Sequence, residues 1–298
     1  MKRFLRYIAF ITLVFPFLSA AQEPIIDFDL LDRKKTISLD LSSMHLDTIP
    51  EEVFEFKNLK KLNLRNNNIR EIPAEIEQLK KLRIVDFSIN MITEIPMQLF
   101  ELTNLEKLYF GDELRYRFFS SRAKRQNLIE ELPKEIGNLT NLRELDLSYN
   151  LIGSIPAEIG KLENLEKVSF TNNRISEIPH TMGHLQQLTW LHIERNNITV
   201  LPNQLTGLKN LRELNLCENN IEALPPSIGD LQNLTILSIS HNRLRTLPSS
   251  IGDILMLSSL DISYNRINTL PRDLKFLKHL NRFKVKGNLI ENYEIPEH

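Results

Sequence analysis

The chain has 298 residues, 42% of them hydrophobic and 25% charged. That is a globular composition, which excludes collagen, a disordered tail and a multi-span membrane protein. Lys+Arg 37 against Asp+Glu 38 leaves a net charge of -1, so bulk charge makes no case for nucleic acid as a partner. The single cysteine, Cys217, excludes an internal disulfide framework and a cysteine-cluster zinc site.

Residues 1–21 read as a secretory signal. Lys2, Arg3 and Arg6 form a positive start, residues 7–18 are uncharged and mostly apolar, and Ser19, Ala20 and Ala21 offer small side chains for cleavage after Ala21. The apolar run is about 12 residues, whereas a membrane-spanning helix needs about 20. Loss of Lys2, Arg3 and Arg6 takes the net charge from -1 to -4 and leaves no transmembrane segment. The expected location is therefore exported (periplasmic, cell-surface or secreted), and a retained leader would mean the cytoplasm instead. Residues 22–36 are expected to form an N-terminal cap, with Phe28, Leu30 and Leu31 closing the end of the core.

From there the prolines keep a period. Ile or Leu precedes Pro50, Pro73, Pro96, Pro133, Pro156, Pro179, Pro202, Pro225, Pro248 and Pro271. Successive gaps are 23 residues, except for 37 between Pro96 and Pro133, which is one period plus an insertion of 14. Residues 202–224 show the whole unit, with Leu205, Leu208, Leu211, Leu214, Leu216, Asn219, Ile221 and Leu224. Paired L-x-L cores from Leu39/Leu41 to Phe283/Val285 count eleven units, so residues 37–293 form one repeat domain and 294–298 a short tail. The L-x-L pair has period two, which sends two side chains inward and the residue between them outward on a strand. Leucines three apart after the proline suit one buried face of a short helix or 3₁₀ turn. Proline opens that turn, where its missing N–H does no harm. An asparagine follows nearly every strand, and its amide is suited to bond the backbone of its own coil and the next. Met44 replaces it in the first unit.

These motifs resemble the leucine-rich-repeat family over nearly all of the mature chain. The 23-residue unit with I/L-P and recurrent Ile-Gly (Ile136-Gly137, Ile159-Gly160, Ile228-Gly229, Ile251-Gly252) is similar to exported bacterial members and to eukaryotic Ras-pathway scaffolds. The resemblance implies an α/β fold: a right-handed horseshoe solenoid with a concave parallel sheet and short helical or 3₁₀ segments on the convex side. With a signal present and no cysteine-rich caps, the bacterial group is favoured.

Outward strand residues then stack in columns across the concave face. The position inside L-x-L carries Asp86, Tyr109, Asp146, His192 and Asn215, the position before it carries Trp190, and the two positions after the pair carry Tyr149, Glu194, Arg195, Glu218, His241 and Tyr264. Mixed charge interleaved with aromatics suits a protein partner, with Trp190, the only tryptophan, as the expected anchor. The insertion, residues 111–126, is expected at the rim of the horseshoe, able to overhang this face. Its Arg115, Arg117, Arg122, Lys124 and Arg125 interleave with Tyr116, Phe118 and Phe119 against only Asp112 and Glu113, a mixture suited to an acidic protein surface, an anionic glycan or a lipid headgroup. On the last strand, Arg282, Lys284 and Lys286 are expected to discourage edge pairing.

No catalytic, cofactor or metal constellation stands out. His180 and His184 are four apart, but the segment lacks the Glu of a zinc-protease signature. No histidine is fixed by spacing beside Cys217. The expected function is therefore a non-enzymatic, exported module that binds a macromolecule, most simply a protein; the alternative is an intracellular signalling scaffold.

Overall fold

The computed structural model describes residues 27–113 and 126–290. Eleven three-residue strands form one parallel sheet in chain order: β1 Ser38–Asp40, β2 Lys61–Asn63, β3 Ile84–Asp86, β4 Lys107–Tyr109, β5 Glu144–Asp146, β6 Lys167–Ser169, β7 Trp190–His192, β8 Glu213–Asn215, β9 Ile236–Ser238, β10 Ser259–Asp261 and β11 Arg282–Lys284. Like pairs with like throughout, as in Leu39 with Leu62 and Leu191 with Leu214. The middle residue of every strand from β1 to β10 is buried. The architecture is thus a repeat solenoid of eleven coils.

The opposite side is made of 3₁₀ turns, each following its proline. Pro202 has φ -66°, and its carbonyl accepts the first bond of its turn from the Leu205 N–H at 3.0 Å. Proline supplies the acceptor and the preset φ while giving up a donor that the turn does not use. These turns pack closely from coil to coil. A Cβ added at Gly160 would lie 2.6 Å from the Thr181 carbonyl oxygen, which is the physical reason for the Ile-Gly pairs.

Between sheet and turn, the recurring asparagine joins neighbouring coils. Asn196 donates to the carbonyls of Phe170 at 2.9 Å and Ile193 at 3.2 Å, and accepts from the Ile175 N–H at 3.0 Å. The pattern survives the insertion. Asn127 donates to Phe87 O at 2.9 Å and Phe110 O at 2.8 Å and accepts from Ile92 N–H at 2.9 Å, while Leu108 still faces Leu145 in the sheet. On both sides of the insertion the fourth coil therefore keeps its ladder bonds and its place in the sheet.

The N-terminal cap differs in part from expectation. Phe28 is buried with its ring 6.1 Å from that of Phe56, and Leu31 packs against the core. Leu30, however, is 82% exposed. In the 3₁₀ turn Phe28–Leu30 only the first residue faces the core, so Leu30 takes no part in closing it.

The residue before the ladder asparagine is left-handed in coil after coil: Asn66, Ile89, Tyr149, Asn172, Arg195, Glu218, His241 and Tyr264 all have φ between 54° and 58°, and Gly287 has φ 80°. Asparagine and glycine tolerate this conformation; a β-branched residue does not. We expect Ile89→Asn to raise stability by roughly 0.5–1 kcal/mol, read as an upward shift of the urea midpoint. Asn196→Ala, which leaves the Ile175 N–H without its acceptor and takes one of two amide donors from each of Phe170 O and Ile193 O, should cost about 2 kcal/mol in the same measurement. A loss below about 1 kcal/mol, the net worth of one ordinary hydrogen bond, would contradict the ladder's role.

Candidate binding face

The candidate residues do lie in columns on the sheet's outward side, but they do not share one exposure. Asp86, Tyr109, Asp146, Trp190 and His192 are buried. Tyr149, Glu194 and Asn215 are half-buried, and Arg195, Glu218, His241 and Tyr264 are exposed. Arg115, Arg117, Phe118, Phe119, Arg122, Lys124 and Arg125 lie outside the described residues.

Two of the buried candidates close their own strand ends. The Asp146 carboxylate accepts from Ser148 N–H at 3.0 Å and from Ser148 Oγ at 2.6 Å, and Asp86 holds Ser88 in the same way. These are Asx-type turns that end a strand with a side-chain acceptor. The Tyr109 hydroxyl donates to Glu144 at 2.6 Å, and Lys107 reaches the same carboxylate at 2.9 Å. Asp86, Tyr109 and Asp146, expected on the partner-binding face, are instead buried and turned to intramolecular bonds.

The middle of the face is occupied by the root of the insertion. Residues 111–113 leave β4 and cross over the neighbouring strand ends. Gly111 donates to the Asp146 carbonyl at 3.1 Å, and a Cβ there would lie 2.2 Å from Ser148 Oγ, so only glycine passes this close. Asp112 reaches back to Arg65 at 3.3 Å, both side chains largely covered. Glu113 reaches forward: its N–H donates to Ser148 Oγ at 3.3 Å, its carboxylate accepts from Ser169 Oγ, and its Oε1 lies 2.7 Å from His192 Nδ1.

His192 is held on both sides, because its Nε2 lies 3.0 Å from Glu213 Oε1. A carboxylate only accepts, so an imidazole with a carboxylate on each nitrogen must carry both protons. Burial by itself depresses the imidazole, but the two carboxylates outweigh it and raise His192 above the ordinary histidine value. Burial raises Glu113, yet bonds to His192 and Ser169 carry it below the ordinary carboxylate range. Glu194 goes the other way, raised first by burial and then by the charge of Glu113. The Trp190 ring stacks on His192 with centroids 3.4 Å apart and planes 24° from parallel. Trp190, expected as the anchor of the face, is only 9% exposed; it is the floor beneath this ion cluster.

Beyond β8 the face is open. Arg195 pairs with Glu218 at 3.0 Å. His241 and Tyr264, successive members of the left-handed column, stack at 4.3 Å and 17°, and Tyr264 is 45% exposed. They border a hollow of about 810 Å³ whose lining includes Asp261, Lys284 and Lys286. Lys284 pairs with Asp261 at 3.0 Å. Burial pushes the Cys217 thiol up to about 11, against a bond from Ser240, which is the opposite of an activated nucleophile. Among the described residues no group of three or more His, Cys, Asp or Glu is placed to hold a metal. Among the same residues no helix is long and apolar enough to cross a membrane.

By composition Asp112 and Glu113 stand only as a small acidic offset within the basic insertion. The available signal was their position, at the first free residues after a strand, with a lone histidine on the same face three coils on.

Comparison with known proteins agrees with this geometry. Models described as "Leucine-rich repeat region" match residues 123–218 and 203–294, and one described as "Leucine rich repeat" matches residues 36–92. No curated protein sequence matches the chain. Among solved structures, the plant peptide hormone receptor RGFR1 in complex with RGF2 aligns at 28% identity and TM-score 0.70, over 85% of this chain and 44% of its own. The ectodomain of the Arabidopsis thaliana receptor kinase GASSHO1/SCHENGEN3, in complex with CASPARIAN STRIP INTEGRITY FACTOR 2, aligns at 26% and 0.60, over 89% and 40%. A Leptospira interrogans protein of the same repeat type aligns at 24% identity and TM-score 0.45, over 91% and 95%. The chain spans about four-tenths of the length of the two plant receptors.

The ion cluster has a definite pH window. His192 is raised, so its contribution is complete below its ordinary value of 6.5 and is lost as pH rises through the higher folded value. Glu113 is lowered, so its contribution is complete above its ordinary value of 4.5 and is lost as pH falls through the lower folded value. Acrylamide quenching of Trp190 should therefore be weakest between pH 4.5 and 6.5 and increase on both sides. A flat profile would separate Trp190 from the cluster.

Proposed function

The chain belongs to the leucine-rich-repeat family, and on that footing we propose that it is an exported, non-enzymatic module that binds another protein through its concave face. The single observation that carries the reading is the exposed His241–Tyr264 stack beside a hollow of about 810 Å³ on the open end of the sheet. A rigid aromatic pair at a depression, rimmed by two lysines and a carboxylate, provides large contact area with little conformational entropy to lose. The likeness to RGFR1 with RGF2 and to GASSHO1/SCHENGEN3 with CASPARIAN STRIP INTEGRITY FACTOR 2 supports a protein or peptide as the partner. Because Trp190 is covered, the contact surface is centred on β8–β11 instead of on β7. Export rests on the pattern of residues 1–21.

Crosslinking capture with the mature chain, read by mass spectrometry, tests the surface. His241→Ala with Tyr264→Ala should reduce capture at least about tenfold, the scale of a lost binding hot spot. Leu255→Ser, exposed and outside the strands, should leave it unchanged. Equal loss in both variants, or in neither, would move the site elsewhere. Sequencing of the N-terminus tests export: Gln22 should come first, and a cytosolic chain starting at Met1 would favour an intracellular scaffold.

A further inference from the structure

The ion cluster at the centre of the face is built as a receptor for a carboxylate, and its present occupant comes from the same chain. The His192 side chain is only 4% exposed, and Glu213, on β8, occupies its Nε2. Nδ1 points to the outward side, where Ser169 Oγ provides a second donor and Trp190 the floor. Each of these groups belongs to the solenoid. Only the carboxylate they hold is supplied from outside it, by Glu113, 79 residues from His192 in the chain.

We infer that His192, Ser169 and Trp190 form a carboxylate-binding subsite, that Glu113 is its internal placeholder, and that a partner's acidic group enters by displacing it. The inference rests on the concave-face reading above for the identity of the incoming group, but not for the existence of the subsite. A tethered carboxylate has an effective concentration in the millimolar range and above. A free monovalent competitor therefore loses to Glu113, whereas a partner already seated on β8–β11 presents its own carboxylate on equal terms. Two sources share this chemistry, an Asp or Glu side chain and a peptide C-terminus.

The test is chemical rescue, and it needs no partner. Trp190 is the only tryptophan, so acrylamide quenching reports on the subsite alone. At about pH 6, where an imidazole of this kind is charged, Glu113→Ala should raise the quenching constant several-fold over the parent chain. Acetate at roughly tens of millimolar, the affinity of one charge-assisted contact, should return it toward the parent value; acetamide should not. Far-UV circular dichroism of Glu113→Ala should match the parent, and the double variant Glu113→Ala/His192→Gln should show no rescue. N-acetylglycine and N-acetylglutamyl amide then separate a terminal carboxylate from a side-chain one: the source whose compound rescues at lower concentration is the one the subsite takes. Unchanged quenching in Glu113→Ala, or equal effects of acetate and acetamide, would overturn the subsite. If rescue succeeds while His241→Ala/Tyr264→Ala captures normally, the concave-partner reading falls and the subsite stands. If capture is lost but rescue fails, the subsite alone falls.

Discussion

From the second coil to the last, everything in this molecule depends on the amide of one asparagine per coil. A chain that turns from a strand into a loop every 23 residues leaves carbonyls and an N–H facing the interior at each turn, where water does not reach them. Asn219 meets this demand with Nδ2 on Ile193 O and Leu216 O and Oδ1 on Ile198 N–H. Aspartate has no donor and leucine has neither group, so an amide is the short side chain that meets both needs. Because the partners lie in the coil's own turn and in the coil before it, the same bond that satisfies one coil sets the register of the next. The spacing of the asparagines and the parallel sheet are two views of that bond.

The ladder also explains how the face is decorated. To aim the amide inward, the residue before it turns left-handed, with φ near 55° from Ile89 to Tyr264. That conformation points Tyr149, Arg195, Glu218, His241 and Tyr264 along one column. Steric preference favours asparagine or glycine there, and Asn66, Asn172 and Gly287 comply. Aromatic and charged residues at the same position accept a conformational cost of about 1 kcal/mol each. The stack of His241 on Tyr264 is made at two such positions in adjacent coils. Strain at this column therefore falls where contact chemistry is gathered.

The repeating parts were legible because they obey a period. L-x-L, the proline and the asparagine each state one requirement of one coil, and the coil count, the sheet order and the site of the insertion follow from their spacing. Burial on the outward side was not legible in the same way. Asp146 and Asp261 occupy the same column, each bonded to the serine two residues on. Asp146 is nevertheless fully buried while Asp261 borders the open hollow. The difference comes from residues 111–113, which cross the first and not the second, and no local pattern announces a crossing. Leu30 failed for a related reason: a three-residue 3₁₀ turn has one inward position, and hydrophobicity alone does not say which residue takes it.

A solenoid has no second layer on its concave side, so any ionised group placed there keeps its water unless the chain itself supplies a cover. The imidazolium of His192, 4% exposed, has lost its water and would be severely destabilising without partners. Glu213 from the sheet and Glu113 from the insertion replace that water with two charge-assisted bonds. The histidine and the insertion are therefore one device: His192 makes sense only under a carboxylate, and Glu113 has a reason to cross three coils only if a cation is waiting. Gly111 ties them to the fold, since the approach that brings Glu113 over the sheet leaves no room for a Cβ beside Ser148. The same geometry divides the face. Where the crossing is tight, the sheet is spoken for by its own chain; where it ends, from β8 onward, the exposed column is left for something else to meet.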